Sequence, residues 1–199
     1  MKLILASNNP AKLREMRELL ADMGVEVLSQ REAGCDFEVE ETGSTFEENA
    51  YLKAAAVTKA TGLPAVADDS GLMVDALDGA PGIYSARYTG NHADSDEARN
   101  AFLLKKLEGA GNRRAKFVSC VCCTFPNGDT LRTRGEWHGS IALAPRGDNG
   151  FGYDPLFLSD DRPGKTNGEL SPEEKNSLSH RGKAFREFKE KLRNYHAHE

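Results

Sequence analysis

Apolar positions change period several times along the first third of the chain. Leu3, Ile4 and Leu5 form a continuous short run, and residues 2–7 are predicted as a strand. Leu13, Met16, Leu19, Leu20 and Met23 then recur at spacings of three and four. That pattern predicts a helix from Pro10 to Met23, ended by Gly24. Val25 to Ser29 read as a second strand, and residues 30–44 as irregular and acidic. Thr45-Phe46-Glu47-Glu48 predicts a capping box that opens an alanine-rich helix to Thr61, stopped by Gly62 and Pro64. The run Leu63 to Ala67 predicts a short buried strand, residues 65–68, ending at Asp68-Asp69, after which Ser70-Gly71 turn the chain.

Further on, Asp75 to Gly90 read as a glycine-rich loop. Asp94-Ser95-Asp96-Glu97 predicts a second capping box and a helix to about Glu108. Residues 115–125 and 130–143 alternate as two long strands, and Asn127-Gly128 suits a tight hairpin turn between them. A glycine-rich loop, Arg146 to Pro155, precedes a short strand at Leu156-Phe157-Leu158. Ser171 and Pro172 occupy the N-cap and first position of another helix, and Phe185, Phe188 and Leu192 mark one face of a last one. Helices and strands that alternate early, with a hairpin later, predict an α/β fold built on a mixed sheet.

A net charge of −5 argues against a general nucleic-acid or anionic-membrane surface. No apolar run is long enough for a membrane span or a signal peptide. Cys35, Cys120, Cys122 and Cys123 lack the second pair that a zinc site needs, and read as small buried hydrophobes in a reducing cytoplasm. His92, His138, His196 and His198 show no ligand spacing and read as structural or solvated.

Several segments carry candidate chemistry. Asp68 and Asp69 are adjacent like charges, which repel unless a cation draws them together; Mg²⁺ with substrate phosphates would do so, and a solvated turn is the alternative. In Ser7-Asn8-Asn9-Pro10-Ala11-Lys12, Asn9 is a candidate N-cap and Lys12 falls in the first helical turn, where the dipole disfavours a cation. An anion docked on the free N–H groups would explain that lysine, and its removal is then expected to leave the apo fold intact. Glu40 or Glu41 could complete a cation site, and Lys53 could reach phosphate. In Gly147 to Pro155, Phe151 and Tyr153 could stack on a flat ring, while Gly152 backbone groups and Asp154 read its edge. Lys175, His180 and Arg181 offer further donors.

Taken in order, Ser-x-Asn-x-x-Lys, Glu-Glu-Thr-Gly-x-Thr-Phe-x-Glu-Asn-Ala, Ala-Asp-Asp-Ser-Gly-Leu, Gly-Ala-Pro-Gly-Ile-Tyr-Ser-Ala-Arg-Tyr, Gly-Phe-Gly-Tyr-Asp-Pro and Ser-His-Arg-Gly resemble the inosine triphosphate pyrophosphatase family, bacterial branch, over residues 3–190. The resemblance implies a single domain over residues 1–199, an elongated mixed sheet flanked by helices with two lobes around a central substrate cleft. It implies a cytoplasmic homodimer and a Mg²⁺-dependent hydrolysis of ITP, dITP or XTP to the monophosphate and pyrophosphate. Carried over residue by residue, Ser7, Asn8, Asn9, Pro10, Ala11 and Lys12 bind phosphate, with Ser70 a further substrate contact. Asp69 is the catalytic acid and a metal ligand, with Glu41 and Asp68 as its metal partners. Phe151, Gly152, Tyr153, Asp154, Lys175, His180 and Arg181 form the base pocket. Asn8 stands where many relatives carry glycine, and asparagine tolerates a left-handed backbone there. Two other readings are a Maf-like pyrophosphatase of modified pyrimidine nucleotides and a non-catalytic nucleotide sensor.

Overall fold

The computed structural model describes residues 1–195, so His196 and His198 lie outside the described residues. Six strands form one mixed sheet: β1 (Lys2–Leu5), β2 (Glu26–Ser29), β3 (Ala65–Val74), β4 (Arg114–Thr124), β5 (Thr130–Ile141) and β6 (Phe157–Ser159). Their order across the sheet is β2-β1-β3-β4-β5-β6. β1 runs parallel to both neighbours, with Leu3 opposite Val27 and Leu5 opposite Val66; β5 and β6 are antiparallel. Five helices join them: α1 (Pro10–Leu20), α2 (Phe46–Thr61), α3 (Asp96–Lys106), α4 (Pro172–Leu178) and α5 (His180–Arg193).

The chain divides into two compact units. The first comprises residues 1–69, 120–134 and 184 onward, and the second residues 70–119 and 135–183. In the first unit, Leu3, Leu5 and Val66 face one way, with Met16 and Leu20 of α1, Phe185, Phe188 and Leu192 of α5, and Val121 and Cys123 of β4. Ile4 and Ala65 face the other way, with Val57 of α2 and Cys35. Strand alternation produces this division, and each large side chain so buried contributes roughly 1.5–3 kcal/mol. The second unit has its own core of Leu72, Val74, Leu103, Trp137, Leu156 and Phe157.

Most expected elements form, with shifted ends. The first helix leaves the α form at Leu20 and closes as a 3-10 turn over Ala21–Met23, with Gly24 left-handed at φ 64°. The capping box at Thr45 is only half made. Thr45 caps Glu48 N, but the Glu48 carboxylate turns back to Ser44 N and Oγ. Ser95, not Asp94, caps α3; Ser171 caps α4 as expected, and Glu174 completes a full box with it. The four cysteines are buried free thiols.

The main correction concerns β3. Asp68-Asp69-Ser70-Gly71 lies inside a ten-residue strand and does not turn the chain. The composition suits a turn, but β1 pairs this strand on one side, β4 neighbours it on the other, and Leu72 and Val74 enter the second core. Burial beyond the polar stretch outweighs local turn preference.

Candidate active site

At the N-terminal turn, Asn9 caps α1: its Oδ1 accepts from Ala11 N at 2.9 Å and Lys12 N at 3.3 Å. Pro10 fills the first helical position, and Ser7 Oγ accepts from Asn9 N at 3.1 Å. The N–H groups of Ala11 and Lys12, expected to be free for an anion, are therefore already satisfied by the cap. Asn8 does not adopt a left-handed backbone; its Oδ1 instead accepts from Arg31 N at 2.9 Å.

The two adjacent aspartates occupy opposite faces of β3. Even-numbered Val66 packs on the α1 side and odd-numbered Ala65 on the α2 side, so Asp68 follows the first and Asp69 the second. Each meets a lysine from the helix covering its face. Lys12 of α1 donates to both Asp68 oxygens at 2.9 Å. Lys53 of α2 stands 3.7 Å from Asp69 Oδ1 and 2.8 Å from Glu41 Oε1, and donates to the Asp68 carbonyl at 2.8 Å. The cation invoked for the repelling pair is thus a lysine on each side. The ion pair with buried Asp68 offsets the dipole penalty on Lys12. Asp68 is the partner of Lys12 in this structure.

Burial pushes the Asp69 carboxyl up to about 6; the Lys53 ammonium opposes that rise, while Glu41 and Asp68 reinforce it. Asn49 escaped the sequence reading. It is fully buried, and its Oδ1 accepts from Gly43 N at 2.8 Å. It therefore ties the segment after Glu41 to α2. A Cβ on Gly43 would come within 2.6 Å of that oxygen, so only glycine fits the contact. The available signal was a lone amide between Phe46, Ala50 and Ala54 on the apolar side of α2.

Among the described residues, no group of three or more histidine, cysteine, aspartate or glutamate side chains forms a ready metal cage. Glu41 and Asp69 nevertheless converge on one cation, the Lys53 ammonium. Two carboxylates so placed fit Mg²⁺, which takes one or two from protein and the rest from water and phosphate. Glu40 is exposed and has no part in this cluster.

Ser70 and the remaining candidates belong to the second unit. Ser70 Oγ donates to Ser119 Oγ at 2.9 Å. In the glycine-rich loop the two aromatics separate: Phe151 is 74% exposed, whereas Tyr153 is 5% exposed and donates its hydroxyl to Ser85 O at 2.7 Å. Tyr153 is thus a core residue and not a stacking wall. Asp154 is also buried; Oδ2 accepts from Phe151 N at 2.9 Å and from the Lys175 ammonium, and Oδ1 accepts from Asn167 Nδ2 at 3.4 Å. It holds the loop instead of reading a ligand edge. The Lys175 ammonium also lies 4.4 Å from the centre of the Phe151 ring. His180, at the start of α5, stacks on Phe117 with ring centres 4.9 Å apart, and half-buried Arg181 follows it.

The family model described as Ham1 family matches residues 3–191. The chain belongs to the Ham1 family. Among Ham1 relatives, the dITP/XTP pyrophosphatase of Exiguobacterium sp. is 50% identical over 192 residues, 96% of this chain and 97% of that protein. The dITP/XTP pyrophosphatase of Brucella melitensis is 48% identical, over 97% and 94% of the two chains. The solved Ham1 protein of Staphylococcus aureus superposes with a TM-score of 0.92 at 44% identity, covering 98% of this chain and 99% of its own. Among the described residues, no helix is long and apolar enough to cross a membrane.

Proposed function

We propose that this chain is a nucleoside triphosphate pyrophosphatase that converts dITP, XTP and ITP to the monophosphate and pyrophosphate with Mg²⁺. The observation that carries the reading is the split pair on β3, in which Asp68 and Asp69 hold Lys12 and Lys53 on opposite faces. Near-full-length identity of about half to proteins named dITP/XTP pyrophosphatase supports the substrate class.

The chemistry follows from the charges. A triphosphate brings negative charge that competes with the carboxylates for both lysines. Lys12 and Lys53 turn to phosphate oxygens and stabilise charge on the departing pyrophosphate. Glu41 and Asp69, released from Lys53, hold the metal. Mg²⁺, when bound, neutralises phosphate charge as the α–β bond breaks. Asp69 orients the attacking water and takes its proton.

Phe151 supplies a stacking face, and Arg181 and His180 supply donors for the 6-oxo edge of the base. Adenine presents an amino donor at that position. Leaving a buried donor unmatched costs roughly 1–3 kcal/mol, which favours the oxo bases. The resemblance also supports a homodimer, and the buried free thiols support a reducing cytoplasm.

Pyrophosphate release from ITP, dITP, XTP, GTP, ATP and dTTP with Mg²⁺ tests the reading. Preference for the first three is expected. Preference for dTTP, or no release from any of them, overturns it.

A further inference from the structure

The loop that carries Phe151 is gripped by α3. Asp96 and Asn100 stand one turn apart on α3 and share a face. Asp96 Oδ2 accepts from Gly152 N at 2.7 Å, and Asn100 Nδ2 donates to Gly152 O at 3.1 Å. Two side chains of one helix thus hold both backbone polar groups of one loop residue. Gly152 is left-handed at φ 60°, a conformation that L side chains resist, while nothing crowds the space a Cβ would fill. The glycine is required by backbone conformation, and the α3 pair pins that conformation.

The orientation of Asn100 is informative. It is buried, and its Oδ1 has no hydrogen-bond partner among the described residues. Reversing the amide would turn that oxygen against Gly152 O. The side chain leaves an acceptor unsatisfied in order to serve the loop carbonyl. Asp96 is held in turn by an ion pair with Arg99, which also donates to Ala86 O at 3.3 Å. Asp154 Oδ2 accepts from Phe151 N. The result is an exposed phenyl ring on a backbone fixed at three polar groups of two adjacent residues. An exposed aromatic gains no stability from such restraint, whereas a stacking surface gains affinity by being ordered in advance.

We propose that Asp96 and Asn100 are positioning residues for base recognition: they clamp the Gly152 peptide so that Phe151 is presented as a rigid stacking face. They touch no substrate. The inference rests on the pyrophosphatase reading for the identity of the stacked group, and on the geometry alone for the clamp.

Two arms test it. In the nucleotide-free protein, Asn100→Leu should speed amide hydrogen exchange at residues 150–154 about tenfold while α3 keeps its protection. Unchanged loop exchange overturns the clamp whatever the enzyme acts on. In the kinetic arm, Asn100→Leu should raise KM for ITP about tenfold with kcat little changed, in line with the loss of one base-stacking contact. KM for a base-free substrate, ribose 5-triphosphate, should not move. In a Phe151→Ala background the same substitution should add nothing. Equal losses on both substrates, or full additivity with Phe151→Ala, overturn the positioning role. Asp96→Ala should likewise speed exchange at residues 150–154; unchanged exchange there overturns its part in the clamp, and α3 protection retained in both variants guards against a folding defect. Wild-type protein that releases no pyrophosphate from ITP overturns the functional reading, while the exchange arm still decides the clamp.

Discussion

The Lys12 ammonium lies 2.9 Å from each carboxylate oxygen of Asp68, a residue that is almost wholly buried. The relationship reverses the expectation that Lys12 is dispensable to the fold. Removing it frees an N-terminal dipole of a cation but leaves a buried carboxylate without its counterion. Breaking a fully buried pair costs about 3–5 kcal/mol; water reaching Lys12, 30% exposed, brings the expected loss nearer to about 2 kcal/mol. Lys12→Ala should therefore lower the melting temperature by several degrees as well as weaken triphosphate binding. A melting temperature unchanged from wild type would show that Asp68 tolerates the loss.

Asp69→Asn should act in the opposite sense on stability. The carboxyl rises from 3.8 to about 6 on folding, so between those values the native state binds more protons than the unfolded chain. Stability falls as pH rises through this window, and the full penalty, on the order of 2–3 kcal/mol, applies above pH 6. Asn removes it. Metal-free Asp69→Asn should melt several degrees above wild type at pH 7.5, with the gain shrinking toward pH 4, and should show no turnover. A constant gain across pH, or a variant that still hydrolyses ITP, would contradict the role given to Asp69.

Phe151 and Tyr153 should part company when replaced. Phe151→Ala removes an exposed ring and should change stability by less than about 0.5 kcal/mol while raising KM for ITP. Tyr153→Phe leaves Ser85 O without its donor in the core and should cost about 1 kcal/mol, with KM little altered. Thermal melts and steady-state kinetics on the two variants give the comparison. The reverse pattern would return the stacking role to Tyr153.

Lys53→Met should expose the carboxylates that the ammonium now occupies. Mn²⁺ binding by metal-free protein, followed by its free-ion EPR signal, should tighten about tenfold when this unit charge is removed. Turnover should fall, because phosphate loses a partner. Weaker or unchanged Mn²⁺ binding would mean that Glu41 and Asp69 are not the metal's ligands.

Helical periodicity made α1, α2 and α5 legible, and Ser171-Pro172 placed the start of α4 because caps are local chemistry. β3 was not legible beyond Asp68. Its polar middle is tolerated because two lysines arrive from residues 56 and 15 positions away in sequence. Alternation could have placed Asp68 and Asp69 on opposite faces had the strand been carried through them. The division of labour between Phe151 and Tyr153 was hidden for a different reason. Loop residues carry no fixed period, so which ring points inward depends on the core it meets. Asn49, Asp96 and Asn100 act by supporting other groups, and side chains of that kind resemble ordinary helix residues in a linear reading.

The continuous passage of β3 through its acidic pair also limits which lineages of this chain can survive. Exposed loops can gain or lose a residue and keep their ends in place. A single codon lost between Ala65 and Asp68 would instead shift the downstream strand by one position and exchange its faces. The acid that now meets α2 would then face α1, and the serine after it would stand opposite Lys53. Amino-acid replacement can tune either half of this catalytic strand, but insertion and deletion are closed to it.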